Sequence, residues 1–143
     1  QSIKTPSLTN QVDTDNDGIS DAYETVIYNT LSGNPDSDGD GLNDGIEVAY
    51  WGADWDKDPD GDFLVNLLDP DSDNDGLSDG VEVGDLGTSP ILVDTDDNGI
   101  PDGDEDSDND DLTNAEEIQC GSDPANPSSI CTKGLPWIML LLD

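Results

Sequence analysis

Apolar residues are sparse along most of this chain, and six of them fall in one repeating phase. Ile19, Leu42, Leu64, Leu77, Ile100 and Leu112 each stand seventh in a twelve-residue phrase whose positions 1, 3, 5, 9 and 12 carry Asp, Asn or Glu. Single apolar residues so far apart make neither the alternation of a strand nor the stripe of an amphipathic helix. The pattern predicts a mostly irregular, coil-rich tandem array with short helices and little β-structure. Only Tyr23–Asn29 and Ile46–Trp51 predict helices, each starting near a position-12 glutamate. Helices this short do not hold in water unaided, so they must lean on neighbouring loops.

The phrase occurs six times. The first copy carries Asp13, Asp15, Asp17, Gly18, Ile19, Asp21 and Glu24, and the second Asp36, Asp38, Asp40, Gly41, Leu42, Asp44 and Glu47. The third carries Asp58, Asp60, Asp62, Leu64, Asn66 and Asp69, with Phe63 in the place of the turn glycine. The fourth is complete with Asp71, Asp73, Asp75, Gly76, Leu77, Asp79 and Glu82, and so is the fifth with Asp94, Asp96, Asn98, Gly99, Ile100, Asp102 and Glu105. The sixth has Asp106, Asp108, Asp110, Leu112, Asn114 and Glu117, with Asp111 in the glycine place. Starts are separated by 23, 22, 13, 23 and 12 residues, so the third and fourth copies, and the fifth and sixth, stand back to back. Gly33-Asn34-Pro35, Gly87-Thr88-Ser89-Pro90 and Gly121-Ser122-Asp123-Pro124 punctuate the longer units. There glycine is expected to stop a helix and proline to force an extended exit. Such punctuation marks a structural repeat, not a low-complexity acidic run.

Oxygens at this spacing suit calcium, which takes six to eight oxygen ligands. Positions 1, 3 and 5 converge on one point if the chain turns sharply at position 6, where glycine permits a positive φ. Position 7 adds its carbonyl, and position 12 returns a carboxylate. Magnesium is disfavoured, because it demands compact octahedral geometry and keeps its waters. Phe63 is expected to be strained at a positive φ, and Asp111 less so. EF-hands and dockerins use the same loop spacing but place their apolar residue at position 8. Here position 8 is Ser20, Asn43, Val65, Ser78, Pro101 and Thr113, mostly polar, and the short steps leave no room for flanking helices.

The phrases 13–24, 71–82 and 94–105, the alternation of long and short units and the Gly-Ser-Asp-Pro at 121–124 resemble thrombospondin type 3 repeats, particularly the shorter bacterial and archaeal forms. The resemblance covers roughly residues 13–127. It implies an irregular chain, with little regular secondary structure, wrapped around rows of calcium ions; the six loops themselves lead to an expectation of about six or more ions. Vertebrate members carry disulfides between units. This array has no cysteine before Cys120, so it should depend more on its metal.

Composition adds a polyelectrolyte problem. The net charge is −33, with 36 acidic residues against three lysines, no Arg and no His, and only 31% of residues are hydrophobic. Read alone, such a composition predicts disorder. Six divalent ions would cancel about 12 of those charges, so an unfolded metal-free state and an ordered calcium state are expected. Nucleic acid is excluded as a partner, since phosphate binding needs Lys and Arg. Without His, Ser-His-Asp, Cys-His and HExxH chemistries are absent. A carboxylate pair of glycosidase type is allowed by residue type alone, but nearly every Asp belongs to a loop, and no enzyme is expected.

Cys120 and Cys131 bracket a Pro- and Ser-rich loop and read as a local disulfide of an oxidising compartment. No secretory h-region is present, and the start at Gln1 fits a processed chain. Trp51, Trp55 and Phe63, with Tyr50 and Val65, are expected to form a small apolar cluster where the array bends. The competing reading is a carbohydrate- or partner-binding patch formed by Trp51, Trp55 and Phe63. The run Leu135–Leu142 is apolar but far too short to span a bilayer. It is either folded back on its own repeats or a donor segment inserted into a neighbouring subunit. The expected organisation is an N-terminal arm (1–12), six repeats (13–119), a disulfide-closed loop (120–131) and the apolar tail (132–143). The expected function is that of an extracellular or cell-surface calcium-stabilised structural protein, either monomeric or a subunit of a filament or surface assembly with its tail inserted into a neighbour. The alternatives are an adhesive or ligand-binding module and a low-affinity calcium buffer or sensor.

Overall fold

The computed structural model describes residues 12–131. The N-terminal arm through residue 11 and the apolar tail, with its donor-segment reading, lie outside them. Each phrase is a tight loop whose backbone turns left-handed twice, at positions 4 and 6. The pairs are Asn16 and Gly18, Gly39 and Gly41, Gly61 and Phe63, Asn74 and Gly76, Asp97 and Gly99, and Asn109 and Asp111. Gly, Asn and Asp tolerate that region. Phe63 does not, yet it holds φ 84° while the residue is 94% exposed. The loop closes there at the expense of backbone strain, about 1–2 kcal/mol for an L-residue.

Four short helices follow loops: α1 (Asp21–Tyr23), α2 (Asp44–Trp51), α3 (Asp79–Val81) and α4 (Asn114–Cys120). α1 and α3 widen into π-helical turns, Glu24–Tyr28 and Glu82–Leu86, and single 3-10 turns, Asn66–Leu68 and Asp102–Asp104, stand in the same place in the third and fifth copies. All six begin at position 9, earlier than the position-12 start expected from sequence. The reason is position 8, which is extended (ψ 143–156°) and serves as N-cap. Ser78 caps with its hydroxyl, and Thr113 and Glu116 form a reciprocal capping box. At Ser78 and Thr113 the polar residue at position 8 therefore caps the helix start with its side chain. Gly87 and Gly121 end their helices in left-handed conformations, as expected. In the first unit Asn29, at φ 62°, ends the helix instead of Gly33. No strand occurs among the described residues.

Stacking between loops rests on an unforeseen residue, the glycine at position 10. A Cβ on Gly45 would run into the Asp17 carbonyl, one on Gly80 into the Asp40 carbonyl, and one on Gly103 into the Asp75 carbonyl. Thus the second copy sits on the first, the fourth on the second and the fifth on the fourth. Ser78 Oγ donates to the Asp40 carbonyl at 3.1 Å, and Gly103 N–H donates to Asp75 Oδ2 at 2.9 Å. The third copy lies beside the fourth, through Asn74 Nδ2 to Asp60 Oδ2 at 3.2 Å.

The interior of this stack is polar. Six buried apolar residues (Ile19, Leu42, Trp51, Leu67, Leu77 and Cys120) share it with sixteen buried polar or charged ones, among them Glu24, Glu47, Glu82 and Glu117 with no accessible surface. The expected aromatic cluster is only partly present. Tyr28 meets Trp55 edge-on at 5.2 Å and Tyr50 meets Trp51 at 4.9 Å, while Phe63, held outward by its loop, joins neither. Cys120 and Cys131 are joined in a disulfide.

Replacing Gly80 with Ala should destabilise the calcium-loaded chain by at least about 2 kcal/mol, because the obstacle is backbone and has no rotamer to yield. Gly84→Ala, whose Cβ meets no atom within 4 Å, should stay within about 0.5 kcal/mol of the parent. Thermal unfolding of both variants in calcium checks this, and equal melting would contradict the stack.

Candidate metal centre

One hydrogen-bond scheme recurs in the loops and aims their oxygens. The position-1 carboxylate accepts backbone N–H groups from across its loop: Asp13 from Asn16 and Gly18, Asp36 from Gly39 and Gly41, Asp58 from Gly61 and Phe63. Asp71, Asp94 and Asp106 do likewise. Position 3 accepts from the N–H of position 5, and position 5 from that of position 7, each through Oδ1: Asp15 from Asp17, Asp17 from Ile19, Asp38 from Asp40 and Asp40 from Leu42. With Oδ1 tethered, Oδ2 is fixed in direction. Asp15, Asp17, Asp38, Asp40 and Asp73 each leave Oδ2 buried without a protein partner. Carboxylate oxygens of 13, 15 and 17, of 36, 38 and 40, of 58, 60 and 62, and of 71, 73 and 75 lie within 4.8 Å of one another.

Position 12 supplies the opposing oxygens. Glu24 and Glu47 bury both without partners, and Glu82 and Glu117 leave Oε2 open. Buried polar atoms in folded proteins are nearly always satisfied, so these oxygens are fitted to take a ligand. In the third copy Asp69 Oδ2 is likewise buried and open, while Asp58, Asp60 and Asp62 face solvent. In the sixth, both oxygens of Asp108 are open. The fifth closes on itself: Asn98 Nδ2 donates to Glu105, and Asn98 Oδ1 accepts from Ile100 N–H. Among the position-7 residues, Ile19, Leu42 and Leu77 are buried, Leu112 is half-buried, and Leu64 and Ile100 are exposed.

Position 9 behaves differently. Its side chain accepts from position 2 of its own loop: Asp21 from Thr14, Asp44 from Ser37, Asp79 from Ser72, Asp102 from Thr95 and Asn114 from Ser107. In the third copy position 2 is Pro59, which has no N–H, and Asn66 Oδ1 is left buried and open. Stacking then carries position 9 toward the preceding loop. Asp44 comes within 4.8 Å of Asp17 and Glu24, so carboxylates of two copies meet at their junction. Ligand spacing alone passes over Ser/Thr at position 2, Asn/Gly/Asp at position 4 and Gly at position 10. All three recur in the sequence and were available as signals.

Burial and neighbouring carboxylates push these groups upward, burial being the larger cause. Glu24, Asp38, Asp73 and Asp79 rise to about 7, Asp69 to about 6, and Glu47 and Glu82 to about 9. Converging, desolvated, all-oxygen donors with no cation among them fit calcium in type and number. Bound there, calcium would supply the positive charge that the protein lacks.

A sequence profile described as the bacterial TSP3 repeat matches residues 13–30, 36–54, 71–91 and 106–127, more than half of the chain. The chain belongs to this family. The matches are the first, second, fourth and sixth copies, those whose loops run on into α1 to α4. The third and fifth, which open only into 3-10 turns, fall between them. Neither the curated proteins nor the solved structures contain a match to the chain. As a TSP3 repeat protein it is a calcium-binding repeat protein. No helix among its described residues is long and apolar enough to cross a membrane.

The raised carboxylates fix the sign of a pH effect. Without metal the folded state holds more protons than the unfolded one. Its stability is therefore fullest below about pH 4 and is lost as pH rises through 6 to 9. In EGTA the far-UV circular dichroism should show more structure at pH 5 than at pH 8. In calcium the order should reverse, because protons compete with the ion. A separate test concerns the strained loop. Phe63→Asn, a residue that accepts a positive φ, should raise calcium-loaded stability by about 0.5–1 kcal/mol in thermal unfolding.

Proposed function

We propose that the chain is an extracellular structural protein held rigid by about six or more calcium ions. The observation that carries this reading is the set of fully buried glutamates, Glu24, Glu47, Glu82 and Glu117, whose open oxygens face the tethered aspartates of the same loops. A stack with this interior repels itself at neutral pH unless cations enter it, so calcium binding is the folding energy of the array. The ions staple each loop shut, and the loops, stacked through Gly45, Gly80 and Gly103, pass that rigidity along the chain. The disulfide at Cys120 and Cys131 supports an oxidising compartment, and millimolar extracellular calcium would fill even weak sites. Self-association through the apolar tail remains a reading of residues 135–142 alone. It predicts that removing them abolishes any oligomer seen in solution.

Native mass spectrometry should count about six or more calcium ions per chain. EGTA should convert the compact species into an expanded one, seen as a large rise in radius of gyration by small-angle X-ray scattering. A chain that stays compact in EGTA at neutral pH would defeat the proposal. A graded change across working calcium concentrations, in place of complete occupancy, would favour the buffer or sensor alternative.

A further inference from the structure

The position-12 glutamates are not alike, and the difference traces to a hydroxyl that no ligand spacing predicts. Immediately after the left-handed residue that ends the helical turn stands Thr30 in the first unit, Thr88 in the fourth and Ser122 in the sixth. Each donates its backbone N–H to the carbonyl of its own position-12 glutamate, at 3.2, 3.2 and 2.9 Å respectively. Two of them also engage the carboxylate: Thr88 Oγ1 donates to Glu82 Oε1 at 3.2 Å, and Ser122 Oγ to Glu117 Oε1 at 3.1 Å. In these copies only Oε2 is left buried and open. The first unit lacks the bond: Thr30 Oγ1 is buried without a partner, and both Glu24 oxygens are open. The second cannot form it, because α2 runs on past Glu47 to Trp51 and no hydroxyl follows, and both Glu47 oxygens are open as well.

We propose that Thr88 and Ser122 are positioning residues that hold one oxygen of Glu82 and Glu117 away from the ion, so that these glutamates bind calcium through a single oxygen while Glu47 binds through two. The inference rests on the calcium reading above. Its physical basis is that a hydroxyl donor spends one lone-pair direction of Oε1 and restrains the carboxylate torsion, which otherwise swings freely to chelate with both oxygens. Two classes of site then share one array, the first and second copies with both glutamate oxygens open and the fourth and sixth with one, the difference being whether a hydroxyl engages the carboxylate.

The test uses the full chain with Thr88→Val, which keeps the side-chain shape and removes the donor, and Thr88→Ser, which restores it. Calcium titration calorimetry of Thr88→Val should show one site class shifted about tenfold in affinity. The infrared difference spectrum of calcium-loaded variant minus parent should show a carboxylate antisymmetric stretch moving from the one-oxygen to the two-oxygen range. Thr88→Ser should return both readouts to parent values. Ser122→Ala reports the same effect independently if Thr88→Val does not reach parent circular dichroism at saturating calcium. Parent-like titration with a flat difference spectrum overturns the proposal. An affinity change without the spectral shift also overturns it, because it marks the hydroxyl as merely structural. Failure of the calcium reading itself is distinct, since the parent chain would then take up no calcium.

Discussion

Carboxylates packed against carboxylates, with little solvent and no Lys, Arg or His among them, set the terms for the rest of this structure. Asp44, Glu47, Asp79, Glu82 and Glu117 have no accessible surface. The only ion pair among the described residues joins Lys57 to Asp56 at the surface, at 3.7 Å. In an ordinary domain the buried interior supplies cohesion through apolar area. Here the apolar interior amounts to a few side chains, and the polar interior repels itself. Cohesion has to come from cations, and the architecture is a device for presenting oxygens to them.

That requirement explains features that look unrelated. Left-handed residues at positions 4 and 6 curl the backbone so that its N–H groups face the position-1 carboxylate. Those bonds and the Oδ1 tethers at positions 3 and 5 fix directions that free Asp side chains would sample widely, so part of the ordering entropy is met before metal arrives. Helices are short because they need only bring position 12 back over the loop. The hydroxyl partner of the position-9 carboxylate, Ser72 for Asp79 or Ser37 for Asp44, locks the start of each helix onto its own loop. Phe63 shows how strongly the loop shape is imposed: a bulky residue accepts φ 84° and full exposure while the Asp58 bonds are kept.

Assembly of the loops into a stack depends on a smaller constraint, the missing side chain at position 10. Gly45, Gly80 and Gly103 let one helix start touch the carbonyl of the previous loop, and that approach brings Asp44 to Asp17 and Glu24. Copies without this glycine, with Ala22, Leu67 or Ala115 at position 10, make different neighbours. Leu67 is fully buried, its N–H bonds the Trp55 carbonyl, and Asn66 Nδ2 bonds the Asp54 carbonyl instead. The array is therefore a linear stack with a lateral third copy, not six equivalent steps.

By itself the sequence determined the loops. Oxygen ligands at fixed offsets, a turn residue and a seventh apolar position are local facts, and a chain that satisfies them within twelve residues needs no distant partner to do so. The disulfide between Cys120 and Cys131 was legible for the same reason. The folded structure decided which carboxylate oxygens are taken by a hydroxyl and which stay buried and open, since Asp79 and Glu82 look alike in the sequence until Ser72 and Thr88 are seen beside them. It also decided that Phe63 stands outside the aromatic contacts and that carboxylates of consecutive copies converge. That convergence depends on the distance of closest approach between backbones, a quantity that Gly45, Gly80 and Gly103 permit but ligand spacing does not encode.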